Sequence, residues 1–132
     1  MKKVVLGEVV EIPELKTVQD VKHLAEKLGT KEFPSELIML SLMAGNMDSY
    51  EIYATIAFAK RAIDDVKNVE IKTIEDFRNY LKRYNLGSDE KAVQSAYYLY
   101  EWGYVNKDDL IAGVLKHLAE IERALNEYLP GE

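Results

Sequence analysis

The chain has 132 residues, 48% of them apolar, with 17 Lys and Arg against 23 Asp and Glu, a formal net charge of −6 and no cysteine. The missing thiols exclude a disulfide framework, a cysteine nucleophile and thiolate zinc sites, and the apolar fraction excludes a disordered or collagen-like chain. The acid excess repels polyanions overall, and the length suits a single helical domain over 1–132.

Val4 to Ile12 is rich in β-branched residues and stops at Pro13, which predicts a strand. Gly7-Glu8 in its middle fits a two-residue hairpin turn with glycine first, or a bulge in one longer strand. A lone strand leaves its backbone groups unpaired. Its expected partner is therefore the other short strand candidate, Val69-Glu70-Ile71-Lys72, or a second copy of the chain. The basic start Met1-Lys2-Lys3 lacks the sustained apolar run of a signal peptide. Leu37 to Ala44, the most apolar stretch, falls far short of the ~20 residues needed to span a bilayer. A cytoplasmic protein is expected, and abundant Lys and Glu with glutamine only at Gln19 and Gln94 give a thermophile-like composition.

Helix starts follow in series. Thr17 with Asp20, Asp48 with Glu51, Thr73 with Asp76, and Asn106 with Asp109 each place an acid three residues after a capping side chain. Pro34-Ser35-Glu36 and Gly87-Ser88-Asp89-Glu90 mark two further starts, and Gly29, Gly45 and Gly103 mark stops. Six helices result, near 18–28, 35–44, 49–67, 74–85, 89–103 and 107–128. The expected fold is mainly α: a compact bundle of about six helices with a minor N-terminal β element over 4–12, possible partner 69–72.

Helical periodicity assigns the faces. Val18, Val21, Leu24 and Leu28 form one stripe, and helix 35–44, apolar nearly all round, is expected to be the buried one. In 49–67, Ile52, Ile56, Ala59, Ile63 and Val66 make an apolar face. The reverse face carries Tyr50, Ala54, Ala57 and Arg61, small enough for a second backbone to approach, centrally or at a subunit contact. In the last helix Leu110, Val114, Leu118, Ile121 and Leu125 form the stripe, widened by Ile111, Leu115 and Leu129.

Catalytic constellations are sparse. Lys22-His23-Leu24-Ala25-Glu26 and Lys116-His117-Leu118-Ala119-Glu120 repeat a His–Glu spacing that two neighbouring helices could turn toward a metal. The order is the reverse of that in di-iron bundles, however, and His23 falls on a polar face. No metal or cofactor is predicted. Asp64-Asp65 point about 100° apart on a helix, so they do not converge on one proton, and pairing with Lys60 or Arg61 is their expected role. There is no Gly-x-Ser-x-Gly elbow and no phosphate-cradling glycine loop.

Six of the nine tyrosines lie between Tyr80 and Tyr104, together with Trp102. Most fit a core stripe, but Tyr98 and Trp102, at i and i+4, lie opposite it beside Lys91. An exposed Tyr/Trp pair has the composition of an interface hot spot; the competing reading buries both sides of helix 89–103 within the monomer. The pair 74–85/89–103 with its Gly-bearing turn also has helix-turn-helix dimensions, with Lys72, Arg78, Lys82, Arg83 and Lys91 as phosphate-binding candidates. Against this, Asp89-Glu90 opens the second helix, where base-reading helices carry neutral or basic groups. The expected function is a non-catalytic protein-interaction or assembly module, homo-oligomeric, with Tyr98, Trp102, Tyr50, Ala54, Ala57 and the first strand as contacts. A nucleic-acid-binding protein is the alternative, and a small enzyme or ligand-binding bundle the third.

Overall fold

The computed structural model of the chain describes residues 1–30 and 43–129. Within them the elements run β1 (Lys2–Val5), β2 (Glu8–Glu11), α1 (Val18–Lys27), α2 (Ser49–Asn68), α3 (Ile74–Arg83), α4 (Glu90–Glu101) and α5 (Lys107–Asn126). The protein is mainly helical with a small N-terminal β element. Five helices lie among the described residues; the expected helix 35–44 falls, up to Leu42, outside them, and Met43 at its end is exposed. No helix of the described residues is long and apolar enough to cross a membrane.

Contacts divide the chain into two compact units, Met1–Arg61 with Glu122–Glu132, and Ala62–Ile121. In the first unit, β1 and β2 form an antiparallel hairpin with Val4 opposite Val9 and Val5 opposite Glu8. The β element is thus paired with itself and not with 69–72. The turn is Leu6-Gly7, one residue earlier than the glycine-first arrangement, and both residues take left-handed backbone angles, φ 53° and 79°. Two left-handed residues match the twist of a tight hairpin, and glycine adopts that geometry without strain.

Alternation along β1 and β2 leaves Val5 buried with Ile12, just beyond β2, and these two pack on Tyr50 of α2. Ala54, Ala57 and Phe58 border the same cluster. The small side chains of this face therefore admit the chain's own hairpin. The other face of α2 buries Ile52 and Ile56 against Leu15, Val21, Leu24 and Ala25, with Val18 and Leu28 of the predicted α1 stripe partly buried beside them. Each such fully buried aliphatic side chain contributes roughly 1.5–3 kcal/mol of transfer free energy. The Thr17–Asp20 capping box starts α1 as its spacing predicts.

The last turns of α5 belong to this unit and carry its polar fastening. Asn126, 3% exposed, accepts from the Val4 N–H at 2.8 Å and donates to the Val4 carbonyl at 2.9 Å, as a neighbouring strand would. Its amide also donates to the Tyr50 hydroxyl at 2.8 Å. Glu122, equally buried, accepts from the N–H groups of Leu6 and Gly7. The sequence stripe of α5 assigns Leu125, and Ile121 at the end of the second unit, to the core. Instead both are exposed, and the buried positions are the polar ones that pair with the hairpin backbone.

In the second unit α3 packs Phe77, Tyr80 and Leu81 inward and α4 packs Val93 and Tyr97. Leu110, Ile111, Val114, Leu115 and Leu118 of α5 are buried. Ile63, expected on the apolar face of α2, is exposed. Residues 69–72 form no strand. Their carbonyls are met by phenols: the Tyr100 hydroxyl donates to Ile71 O and the Tyr97 hydroxyl to Lys72 O, both at 3.2 Å. Asp65 is buried and accepts from the hydroxyls of Tyr80 at 2.8 Å and Tyr84 at 2.7 Å, a role different from the surface pairing its spacing predicts. A buried carboxylate is tolerated only where such donors meet it. Burial, reinforced by Asp65, pushes the Tyr80 phenol far above its ordinary value.

Candidate interaction site

The second unit carries two adjoining surface features, an aromatic ledge and an apolar groove. The ledge forms where α4 ends. Gly103 takes a left-handed φ of 83°, and the Tyr104 N–H returns to the Leu99 carbonyl at 2.9 Å, so the helix stops at once after Trp102. Tyr98 and Trp102, four residues apart, stack with ring centroids 5.4 Å apart and an interplanar angle of 26°. Trp102 is 68% exposed and Tyr98 38%. Tyr97, next in sequence, turns the other way into the core, edge-on to Tyr98 at 5.6 Å and tilted against Phe77 at 6.3 Å. The α4 helix is therefore buried on one side only.

The groove, about 460 Å³, runs along α4 and α5 with the α3–α4 turn at its edge. Its floor includes Phe77, Leu81 and Val93; Ala92, Ala96 and Gly113 leave room above it. Leu99 and Ile121, 46% and 43% exposed, line it from opposite walls and keep it open to solvent. Leu99 is shared between the features, because it lies three residues before Trp102 and hence beside it on the helix surface.

Both walls bring acids. Asp89 caps α4, accepting from the N–H groups of Lys91 and Ala92, and Asp109 exchanges hydrogen bonds with Asn106 at the start of α5. The lining contains no lysine or arginine, and among the described residues no cation pairs with either acid.

The phosphate-binding candidates are differently placed. Arg78 is gripped by both Glu75 and Glu90, which ties α3 to the start of α4 and, with Glu90 the stronger cause, holds the guanidinium more firmly protonated. Arg83 lies over the Tyr80 ring at 6.0 Å, and Lys72 pairs loosely with Glu70 at 3.6 Å. Lys82 and Lys91 are exposed. The most central of these cations is thus neutralised twice over by neighbouring carboxylates.

Among the other candidates, Tyr50 is buried and Ala54 and Ala57 are partly covered in the hairpin cluster of the first unit, so they do not join the ledge. His23 is exposed on α1, and His117 lies exposed at the margin of the groove. No group of three potential metal ligands occurs among the described residues. The groove itself escapes the sequence pattern, since its walls are ordinary helix faces; the one signal is Gly113, a helix-interior glycine where alanine would favour the helix. No family model matches the chain, and no curated protein and no solved structure matches it.

Proposed function

We propose that the protein is a non-catalytic, cytoplasmic interaction module that assembles with a second copy of itself through the end of α4. One observation carries this reading: the stacked Tyr98–Trp102 pair stands in solvent, fixed by an abrupt helix stop, with exposed Leu99 beside it. Leaving an indole and a phenol in water forgoes the burial free energy that aromatic rings supply, and a pre-stacked pair loses little entropy when it docks. The polar groups of the second unit support a bland chemistry, since its buried acid, Asp65, is held by two phenols and the two groove carboxylates, Asp89 and Asp109, are engaged in helix-start hydrogen bonds.

Light scattering on the purified chain tests the reading. The expected mass exceeds the 15.1 kDa of one copy. Trp102→Ala lowers it by weakening association by at least about 2 kcal/mol, roughly thirtyfold in Kd. A single-copy mass at every accessible concentration contradicts the proposal.

A further inference from the structure

The groove of the second unit has features that self-association through Trp102 does not explain. It is lined mostly by apolar side chains, its volume of about 460 Å³ lies in the range of ligand clefts, and each wall contributes an acid from a helix start, the cap Asp89 and Asp109 in the first turn of α5. Gly113 adds the telling detail. It lies within α5, where glycine costs the helix about 1 kcal/mol relative to alanine, and a Cβ built there meets nothing within 4 Å. The helix is weakened at a point where no packing demands it, and the effect is to widen the groove.

We infer that this groove binds an amphipathic helix of a partner protein, one whose apolar face is flanked by basic side chains. The apolar floor takes side chains at i, i+3, i+4 and i+7 spacing. The two carboxylates, Asp89 and Asp109, keep one oxygen each beyond their capping bonds, and with no lysine or arginine in the lining they select lysine or arginine and reject an acidic helix. The site adjoins the Trp102 ledge and shares Leu99 with it, while its floor and both carboxylates lie outside the ledge.

The test uses the full chain and two synthetic helical peptides of about four turns with the same leucine stripe. One carries a lysine at each end, the other a glutamate. Calorimetry is expected to give saturable one-to-one binding of the lysine peptide and binding weaker by about tenfold or more for the glutamate peptide. Asp89→Asn with Asp109→Asn keeps the capping geometry and removes the charge, and is expected to erase the preference and flatten the salt dependence. Gly113→Leu fills the groove and is expected to abolish binding of both peptides while circular dichroism remains that of the parent; Gly113→Ala, which barely intrudes, retains binding. Equal affinity for the two peptides, binding that survives Gly113→Leu, or no binding of either peptide overturns the inference. So does saturable binding of dodecyltrimethylammonium without binding of the lysine peptide, which assigns the groove to small cationic amphiphiles instead.

Discussion

The carboxylate of Glu122 closes over the hairpin turn at Gly7: one oxygen accepts the Gly7 N–H at 2.7 Å and the other the Leu6 N–H at 2.8 Å. The left-handed pair Leu6-Gly7 aims successive amides to one side, which makes a small anion-binding nest. Residues more than a hundred positions apart in the chain are thereby joined by two charge-assisted hydrogen bonds. Glu122→Gln keeps the shape but offers only one acceptor oxygen, and is expected to cost about 1–2 kcal/mol in urea unfolding. Hydrogen exchange at Leu6 and Gly7 should accelerate while exchange in α3 stays unchanged.

Asn126 completes the same fastening by pairing with both backbone groups of Val4 and with Tyr50. Asn126→Asp removes two donors and places a charge against the Val4 carbonyl. Asn126→Leu preserves volume but strands the Val4 amide and carbonyl. Each is expected to destabilise the chain by about 2–4 kcal/mol, with the aspartate variant recovering as its carboxyl is protonated at low pH. Thermal melts at neutral and acidic pH distinguish the two.

These two residues show where sequence reasoning stops. The caps of α1 and α3 are local events, an acid three residues after a threonine, and both form as their spacing predicts. The buried stripe of α5 is equally readable through Leu118, because apolar periodicity reports a face packed on apolar neighbours. Beyond it the helix buries Glu122 and Asn126 and exposes Ile121 and Leu125, since the object being packed is a hairpin backbone that needs hydrogen-bonding side chains. Hydropathy cannot announce a polar residue buried for that reason. That Tyr98 and Trp102 lie opposite the stripe of α4 is legible in the sequence, but their exposure is not, because the pattern equally allows a helix buried on both sides; the groove needs several helix faces in place before it exists.

Acid stability follows from the capping boxes. Backbone N–H groups of Lys16 and Thr17 hold the Asp20 carboxyl below the usual carboxylate range, and those of Lys72 and Thr73 do the same for Asp76. Below about pH 4, where unfolded aspartates take up protons, the unfolded chain binds more protons than the folded one. Stability therefore rises with pH across this window and is lost as pH falls through the depressed folded values. Asp76→Asn should flatten the dependence of Tm on pH between about pH 2 and pH 4, measured by circular dichroism.

At alkaline pH the sign reverses. Burial raises the phenols of Tyr50 and Tyr80, the latter further through Asp65, so the unfolded chain releases these protons first. Stability is present in full below about pH 10 and declines as pH rises beyond it. The last phenolate absorbance should appear together with loss of helical circular dichroism, in one step.

Gly113→Ala should stabilise the chain by about 0.5–1 kcal/mol, because the added methyl meets open space and the helix interior gains a better residue. A rise in Tm of a few degrees checks this, and a fall would mean that the groove wall is tighter than its geometry states.

Trp102 is the only tryptophan, so its emission reads the proposed contact surface without interference. Following emission maximum and acrylamide quenching across a wide concentration series is the most direct measurement. Docking of the α4 end predicts a shift to shorter wavelength and loss of quenching as concentration rises, both abolished by Tyr98→Ala combined with Leu99→Ala. Emission that stays fully solvated and fully quenchable at every concentration would contradict the assignment of this ledge as a self-association surface.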